Sequence, residues 1–513
     1  MTMDRSLSLP GAALSDRRAA MAPKTTDAGE FRPEARAPRG FADKRVRDLA
    51  AERKILSAVS AVYERWGFEQ LETGAFEYAD ALGKFLPDSD RPNEGVFALQ
   101  DDDEQWMALR YDLTAPLARF AAQNWETLPK PFRRYAFGTV WRNEKPGPGR
   151  FREFVQCDAD TVGSARPQAD AEMVAMAATG LEAAGLPRGA YVLKINNRKL
   201  LDGLLAEAGV ADPRQKLVAL RAIDKLDRLG WDGARDLLGE GRLDESGAYT
   251  KGAGLDAAAI EAIGEFIDIS TRETGILQAL AGLKLGAVGE EGLRELELIE
   301  DALNGMGVKS DQARFDPAVV RGLEYYTGPV FEAELLLATT GDKGEPISFG
   351  SVGGGGRYDD LVARFTGEQT PATGFSFGVS RLAAALRAAG RDPAGGVRGP
   401  VVVIAFDQTR MSDYFGIAAE LRNAGVPAEV YLGSSGMRAQ MKYADRRLSP
   451  AAIIVGDDEL AAGTVTIKDL DLGRELAQGV TDNTAWRAER PGQATVPRGE
   501  MIARVRAILE GQG

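Results

Sequence analysis

Arg142 and Glu144 are separated by one residue in an arginine-rich segment, residues 137–154 (FGTVWRNEKPGPGRFREF). The pattern predicts two strands, residues 135–142 and 151–160, joined by a Pro/Gly-rich loop at residues 145–149. Because side chains alternate between the faces of a strand, we expect Arg142 and Glu144 on one face. Arginine suits a phosphate with several oxygens, and a carboxylate can accept from the amino group of adenine. The pair alone also fits a salt-bridged, exposed hairpin.

Three polar residues follow at every second position of the second predicted strand: Gln156, Asp158 and Asp160. The strand period of two places all three side chains on one face. A salt-bridged hairpin does not explain this second row of polar groups.

Residues 321–332 (RGLEYYTGPVFE) add one guanidinium, two phenols and two carboxylates in a short stretch. Their aromatic and β-branched side chains favour a strand, and Gly328-Pro329 indicates a bend or bulge. An isolated stretch of this type is most often an edge hairpin with an exposed arginine.

Residues 353–356 are four consecutive glycines, followed by Arg357 and Tyr358. The run is not a P-loop, because the required Lys-Ser/Thr is absent, and it does not fit a dinucleotide-binding fingerprint. Four glycines allow the backbone to approach a small ligand closely, with Tyr358 closing the pocket. The alternative is a flexible hairpin.

Residues 321–328 (RGLEYYTG), residues 353–360 (GGGGRYDD) and the arginine-rich segment together resemble the histidyl-tRNA synthetase family of class II aminoacyl-tRNA synthetases. The first two match the histidine-binding signatures of that family, and the likeness extends from Pro38 to the end of the chain. The resemblance implies an enzyme that activates L-histidine with ATP and Mg²⁺ and transfers it from histidyl-adenylate to the 3′ end of tRNA(His).

The resemblance also implies a set of histidine-binding residues: Asp112, Thr114, Gln156, Asp160, Tyr325, Tyr326 and Tyr358. Asp112 and Thr114 match the pair that holds the α-ammonium group, although an isolated Asp-x-Thr is by default an Asx turn or a helix cap. Gln156 and Asp160 match positions that contact the substrate, and Tyr326 supplies a phenol to the ring. A neutral imidazole has one N–H donor and one acceptor nitrogen, which a carboxylate and a phenol satisfy together.

Catalysis and ATP binding are implied for four further positions. Arg142 matches the motif 2 arginine that grips the α-phosphate, and Glu144 matches the acid that orients adenine. Arg321 is implied to stabilise charge on the phosphate oxygens while the amino-acid carboxylate attacks. Arg381 matches the motif 3 arginine near the ATP tail and adenine, with Ser380 in place of the usual acid.

The net charge of −13, from 63 basic and 76 acidic residues, argues against indiscriminate nucleic-acid binding. Two local basic clusters, one around Lys145 and Arg150 and one containing Arg438 and Lys442, suit selective docking of one polyanion. By the resemblance, the first cluster meets the acceptor end of the tRNA and the second lies in an anticodon-binding domain.

The fold class indicated is α/β (α+β): a class II antiparallel-sheet catalytic domain with a helical insertion, and a C-terminal α/β anticodon-binding domain. The predicted divisions are a disordered tail (1–37), the catalytic domain in two parts (38–205 and 289–394), the insertion (206–288) and the anticodon-binding domain (400–513). Apolar residues at helical spacing predict a helix from position 43 to 66, and residues 67–72 a strand. This pair resembles motif 1, which forms the homodimer interface in the family.

Beyond the linker at residues 395–400 (GGVRGP), strands alternate with helices, which predicts a small sheet with right-handed crossovers. The predicted strands are residues 401–406, 428–432, 451–455, 464–470 and 475–480, and the predicted helices are residues 412–423 and 437–448.

One cysteine and no histidine limit the available chemistry. They leave no metal site of His or Cys ligands, no intramolecular disulfide and no histidine base. No apolar run approaches the roughly 18 residues that span a bilayer, and residues 1–37 lack the apolar core of a signal peptide. We therefore expect a cytoplasmic protein.

Two other functions are weighed. A catalytically silent paralogue, such as the histidine-sensing regulatory subunit of ATP phosphoribosyltransferase, resembles the synthetase core but normally lacks the anticodon-binding domain. Residues 401–513 and the arginine set Arg142, Arg321 and Arg381 count against it. A synthetase for another amino acid is disfavoured by the two histidine signatures.

Overall fold

A computed structural model describes residues 33–85, 95–147, 150–243, 247–320, 322, 325–337, 339, 349–477 and 492–511, without the side chains of residues 83–85 and 227. Most of the predicted tail and Arg321 therefore lie outside the described residues. The described chain forms two compact units: one contains Glu52–Pro393 and the residues before Val46, and the other contains Val46–Ala51 and the residues from Ala394 onward.

The first unit contains the strands β1 (Glu69–Gln70), β2 (Phe76–Tyr78), β3 (Ala98–Gln100), β4 (Trp106–Leu109), β5 (Phe132–Trp141), β6 (Glu153–Val162), β7 (Tyr191–Asn197), β8 (Gly241–Leu243), β9 (Tyr249–Lys251), β10 (Ala313–Phe315), β11 (Pro329–Leu335), β12 (Ser351–Arg357) and β13 (Ala372–Gly378). The α-helices up to residue 388 are α1 (Val46–Arg65), α2 (Thr114–Asn124), α3 (Pro167–Ala183), α4 (Arg198–Glu207), α5 (Pro213–Ile223), α6 (Leu226–Leu238), α7 (Ala257–Asp268), α8 (Ile276–Ala281), α9 (Gly286–Gly305), α10 (Asp360–Thr366) and α11 (Val379–Ala388).

Eight of these strands form one sheet in the order β1-β5-β6-β13-β12-β11-β7-β10. The two outermost pairs are parallel and all the inner pairs are antiparallel. The predicted hairpin is confirmed: β5 and β6 pair from Phe132 with Val162 to Trp141 with Glu153. The sheet thus presents the side chains of β6 beside those of β13 and β12.

The glycine run is part of β12, in the interior of the sheet, so the flexible-hairpin interpretation is wrong. A Cβ atom on Gly355 would lie 2.0 Å from the carbonyl oxygen of Gly374. Gly374 is constrained in turn, because a Cβ there would lie 2.0 Å from Asp160 Oδ1. These glycines are needed for close packing of strands as well as for an open cavity floor.

A second, three-stranded sheet has the order β2-β4-β3. One face packs on a buried cluster that includes Leu82, Val96 and Tyr111. Its other face carries Phe76, Tyr78 and Leu99, which are 46%, 57% and 44% exposed. Among the described residues this is an apolar sheet face that remains open to solvent.

The region predicted as a helical insertion contains helices α5 to α8, as expected, and also the short hairpin β8–β9. The hairpin occupies the glycine-rich break between the helices. The helix predicted from position 43 begins at Val46, and the strand predicted at residues 67–72 is only two residues long.

The second unit contains β14 (Val401–Val403), α12 (Met411–Asn423), β15 (Ala428–Val430), α13 (Met437–Arg446), β16 (Ala451–Ile454), α14 (Asp457–Ala462), β17 (Thr464–Asp469), α15 (Leu470–Ala477), β18 (Gln493–Pro497) and α16 (Met501–Leu509). Its five strands have the order β15-β14-β16-β17-β18, parallel among the first three and antiparallel among the last three. Apolar clusters cover both faces of the sheet.

The strand predicted at residues 475–480 is wrong in its described part, residues 475–477, which end helix α15. The last strand is instead β18, which pairs with β17. This edge strand alternates half-buried and exposed residues and offers little apolar pattern. No helix in the described part of the chain combines the length and apolarity needed to cross a bilayer.

Candidate active site

A cavity of about 440 Å³ lies within the first unit, over strands β6, β12 and β13. Nine of the predicted site residues line it: Asp112, Thr114, Arg142, Glu144, Arg150, Gln156, Tyr325, Tyr326 and Arg381. Folding has gathered them from segments that are far apart in the chain. Lys145, Asp160 and Tyr358 do not line the cavity itself.

Arg142 lies one residue beyond β5, which ends at Trp141 rather than at position 142 as predicted. Its Nε donates to the carbonyl oxygen of Tyr111 at 3.0 Å, and its guanidinium carbon lies 5.2 Å from the ring centre of Phe154. The carbonyl and the aromatic face orient a guanidinium that keeps its charge. The arrangement suits an anionic group in the cavity.

Arg381 lies in the first turn of α11, and its Nη1 donates to the carbonyl oxygen of Ser351 at 2.8 Å. The preceding Ser380, which replaces the acid expected from motif 3, donates from Oγ to Glu52 Oε1 at 2.5 Å. Lys44 Nζ donates to the same oxygen at 2.7 Å. Glu52 of helix α1 thus supplies a carboxylate beside Ser380, whereas the residues next to Ser380 in the sequence supply none.

Gln156, Asp158 and Asp160 alternate along strand β6, which confirms that their side chains share one face, and all three residues are buried. Ser376 of β13 accepts from Gln156 Nε2 at 2.9 Å and donates to Asp158 Oδ1. Burial and the neighbouring Asp160 carboxylate raise the pKa of Asp158 to about 8. Gln156 and Asp158 line the cavity, whereas Asp160 lies outside its lining.

Asp160 is held by two buried partners. Arg134 Nη2 lies 3.0 Å from Asp160 Oδ2 and donates to the carbonyl oxygen of Leu113 at 2.8 Å. The Tyr358 hydroxyl donates to Asp160 Oδ1. Burial raises the pKa of Asp160, while the Arg134 charge and the Tyr358 bond oppose that shift.

Asp112 is both a turn-forming residue and a cavity residue. Its Oδ1 accepts from the backbone N–H groups of Thr114 and Ala115 at 3.1 and 2.9 Å, so the Asx-turn interpretation is confirmed. Its Oδ2 accepts from the Tyr325 hydroxyl at 3.5 Å, and Asp112 lines the cavity together with Thr114. Burial raises the pKa of Asp112, against the lowering effect of the two backbone bonds and Arg142.

Three tyrosines form a cluster at the same end of the cavity. The rings of Tyr325 and Tyr326 meet edge-to-face with centres 5.4 Å apart, and Tyr325 lies 5.8 Å from Tyr358. Burial raises the pKa of all three phenols, so each is an O–H donor near neutral pH. Tyr325 and Tyr326 precede β11 in a turn, although strand-forming side chains were expected to extend the strand to them.

The predicted tRNA-binding side chains are exposed. Lys145 and Arg150 flank the loop between β5 and β6, and Arg438 and Lys442 lie one helical turn apart on α13. No group of three His, Cys, Asp or Glu side chains that could hold a metal ion is found within the described ranges.

Comparison with known proteins gives this geometry a context. The family profile described as histidyl-tRNA synthetase matches residues 40–382, and an anticodon-binding-domain profile matches residues 400–506. The chain is 72% identical over 485 residues to the histidine–tRNA ligase of Caulobacter vibrioides, covering 94% of this chain and 98% of that protein. The chain belongs to the histidyl-tRNA synthetase family.

Other members agree with this assignment. The histidine–tRNA ligase of Rhizobium meliloti is 54% identical over 485 residues, covering 93% of this chain and 96% of that protein. The crystal structure of histidyl-tRNA synthetase from Nostoc sp. PCC 7120 aligns with a TM-score of 0.67 at 27% identity, covering 93% of this chain and 99% of that one. The activity is that of an aminoacyl-tRNA synthetase, a histidine–tRNA ligase, and the regulatory-paralogue alternative is not favoured.

Two residues that hold the polar side chains of β6 in place were not assigned from the sequence. Arg134 is fully buried against Asp160, yet in the sequence it is one of many arginines. Ser376 joins Gln156 to Asp158 from 220 and 218 positions away. The only sequence signal for this group was the alternation of polar residues along β6. It placed Asp158 on the polar face but indicated no role for it.

Proposed function

We propose that the cavity carries both steps of histidyl-tRNA synthesis, with histidine on the β6 side and ATP on the arginine side. Asp112 and Thr114 receive the α-ammonium group, and Gln156 lies beside them. The imidazole ring points toward Asp160 and the three tyrosines, Tyr325, Tyr326 and Tyr358. Arg142, Glu144 and Arg381 receive ATP.

In the first step, a carboxylate oxygen of histidine attacks the α-phosphorus of ATP. The bond from that phosphorus to the bridging oxygen breaks, and pyrophosphate leaves with the bonding electrons. The attacking carboxylate is already ionised at neutral pH, so no base is needed. Arg142 and Arg321 stabilise the charge that builds on the phosphate oxygens. In the second step, a hydroxyl of the terminal ribose of tRNA(His) attacks the acyl carbonyl and AMP leaves.

Mg²⁺ belongs to this proposal as part of the ATP substrate. Protein sites for Mg²⁺ on nucleotides commonly use one or two carboxylates together with the phosphates. Glu332 is a carboxylate in the cavity lining that has no other assigned role, and its oxygens are the hard ligands that Mg²⁺ prefers. When bound, the ion would neutralise phosphate charge.

One observation carries this assignment: two arginines anchored by carbonyl oxygens share a cavity with the polar face of β6. The decisive experiment is ATP–pyrophosphate exchange measured with each of the twenty amino acids. Histidine alone should support exchange. Equal exchange with a second amino acid, or none with histidine, would refute the assignment.

The tRNA contacts extend the proposal to the protein surface. Lys145 and Arg150 meet the acceptor end, and Arg438 and Lys442 meet the anticodon arm. Because these contacts release counterions from phosphates, tRNA affinity should fall steeply as salt rises. The predicted domain divisions and a cytoplasmic location complete the proposal.

We also infer a homodimer. The open face of the three-stranded sheet, with Phe76, Tyr78 and Leu99, is the kind of apolar patch that a second copy covers. Sedimentation velocity should give twice the chain mass for the wild type and less for Tyr78→Lys. Tyr249→Lys, at an equally exposed tyrosine on hairpin β8–β9, should sediment as the wild type does. A monomeric wild type would refute the dimer.

A further inference from the structure

Asp158 has no role in the mechanism above, although it lies between two proposed histidine-binding residues on one face of β6. Its side chain is 2% exposed and that of Gln156 is 7% exposed, and both line the cavity. Ser376 lies opposite Asp158 in the register of β13 with β6. The three side chains therefore form one buried group at the cavity wall.

The hydrogen bonds within this group have a fixed direction. Gln156 Nε2 donates to Ser376 Oγ at 2.9 Å, and Ser376 Oγ donates its own proton to Asp158 Oδ1. These two bonds use Nε2 of the Gln156 amide and Oδ1 of the Asp158 carboxyl group. Gln156 Oε1 and Asp158 Oδ2 are the other ends, and both are buried without a hydrogen-bond partner among the described residues.

Two buried oxygens without a partner are costly when water is excluded. Both belong to residues that line the same cavity, so a ligand with two N–H donors, or one rotating ammonium group, would satisfy both once Asp158 ionises. A neutral imidazole offers only one N–H. In histidine, the groups with two or more N–H donors are the α-ammonium and the protonated ring, and both are cations.

The surrounding charges favour a cation as well. Arg134 is already engaged by Asp160 at 3.0 Å and by the Leu113 carbonyl at 2.8 Å. Besides burial, the carboxylates of Asp160 and Asp112 raise the pKa of Asp158, and the guanidiniums of Arg134 on β5 and Arg110 after β4 oppose them. Glu332 of β11 and Tyr326 from the turn before it share the cavity lining. The carboxyl groups of Asp112, Asp158, Asp160 and Glu332 outnumber the guanidiniums of Arg134 and Arg110. The arginines of the lining, Arg142, Arg150 and Arg381, are assigned to ATP and tRNA.

We propose that Asp158 is a specificity-determining residue that, with Gln156 oriented by Ser376, accepts N–H donors from a cationic group of the substrate histidine. The group is the α-ammonium or the protonated imidazole ring, which share the same N–H chemistry. The proposal rests on the proposed function, because it takes histidine as the occupant of this cavity.

The test is calorimetric titration of the full-length protein with L-histidine in the absence of ATP. Asp158→Asn replaces a carboxyl group that can ionise against a bound cation with a neutral amide, so the dissociation constant for histidine should rise about tenfold or more. Ser376→Ala releases the orientation of both neighbours and should weaken binding in the same direction, by a smaller factor. The matched control is Asp469→Asn, a buried carboxylate of β17 in the second unit, which should bind histidine as the wild type does.

Two analogues identify the source of the N–H donors. Imidazolepropionate lacks the ammonium group, and 1,2,4-triazole-3-alanine has a ring that is much harder to protonate. If the Asp158→Asn penalty vanishes with the first analogue, the ammonium group is the partner. If it vanishes with the second, the protonated ring is the partner, and either result supports the proposal.

A stability measurement separates recognition from a structural role. Because Asp158 is a buried acid with an unpartnered oxygen, Asp158→Asn should melt at or above the wild-type temperature while losing affinity. A fall in both melting temperature and affinity would indicate a structural role and overturn the proposal. If Asp158→Asn does not fold, Ser376→Ala decides by the same two readouts.

Equal histidine affinity of the wild type and both variants would also overturn the inference. That result leaves the proposed function standing, because the wild type still binds histidine. A wild type that does not bind histidine would instead refute the proposed function.

Discussion

The two largest sheets in the described part of the chain differ in how many ionisable side chains they bury. The catalytic sheet of the first unit has several ionisable side chains buried in it or against it, among them Arg134, Asp158, Asp160, Asp170 and Arg357. In the described part of the second unit, Asp469 is the single charged residue that is buried. The ion pairs of the second unit, such as Arg447 with Glu429 at 3.0 Å, join side chains that are at least partly exposed.

The difference follows from what each sheet has to do. Buried charges lower stability unless they are paired, so a core that only supports a binding surface is best built from apolar side chains. A core that must contact a charged substrate accepts that cost. Burial alone does not identify the site, however, because Arg357 and Asp170 form a buried pair that does not line the cavity. The informative feature is a buried polar atom without a partner on a residue that lines the cavity.

The largest effect on the rate of ATP–pyrophosphate exchange is expected from substitution of Arg142, which lines the cavity. Arg142→Ala should slow ATP–pyrophosphate exchange by roughly 10²–10³, as for other donors that stabilise developing charge, with an unchanged melting curve. Arg447→Ala, which removes a surface guanidinium in the second unit, is the control and should leave exchange unaffected. Near-normal exchange in the Arg142 variant would show that the Arg142 guanidinium does not contact the reacting phosphate.

Substitutions in the apolar core of the second unit should lower the free energy of unfolding but leave the rate of histidine activation unchanged. Ile453→Ala at a fully buried position of β16 should lower the free energy of unfolding by about 2–5 kcal/mol, and Ile453→Val by about 0.5–1.5 kcal/mol. Aminoacylation of tRNA should weaken, while ATP–pyrophosphate exchange stays near normal. If the Ile453 variants lost exchange activity in proportion to their loss of unfolding free energy, the two units would not have the separate roles argued here.

The pH dependence of stability should differ between wild type and Asp158→Asn. Because the pKa of Asp158 is about 8 when folded and about 3.9 when unfolded, the folded protein alone keeps the proton between those values. Wild-type stability should therefore fall, relative to the variant, as pH rises from about 4 to 8, by at most about 1.4 kcal/mol per pH unit. Chemical denaturation at several pH values measures this, and a constant difference would exclude the raised pKa.

The smallest effect is expected on the basic surface of the second unit. Lys442→Ala should reduce the slope of log affinity for tRNA against log salt by up to about one unit, with little change in stability. Arg447 is paired with Glu429, so Arg447→Ala should change the slope less. Filter binding over a range of salt concentrations compares the two. Equal slopes for Lys442→Ala and wild type would show that Lys442 does not contact a tRNA phosphate.

Local patterns predicted the elements well. The hairpin β5–β6, the shared face of Gln156, Asp158 and Asp160, and the alternating strands and helices after residue 400 all follow from backbone periodicity, and the structure confirms them. The misplaced strand at residues 475–480 and the unpredicted β18 show the limit. An edge strand exposed on one side has too little apolar pattern to be distinguished from a loop or a helix.

The amino-acid sequence by itself determined which residue types this protein can use, because a chain without histidine must work with carboxylates, arginines and phenols. It also set their spacing along each strand. Only the tertiary structure decided that Ser376 joins Gln156 to Asp158, that Arg134 and Tyr358 hold Asp160, and that Glu52 stands beside Ser380. The reason is physical: spacing within a strand is fixed by backbone geometry, whereas contacts between distant segments depend on sheet order and register.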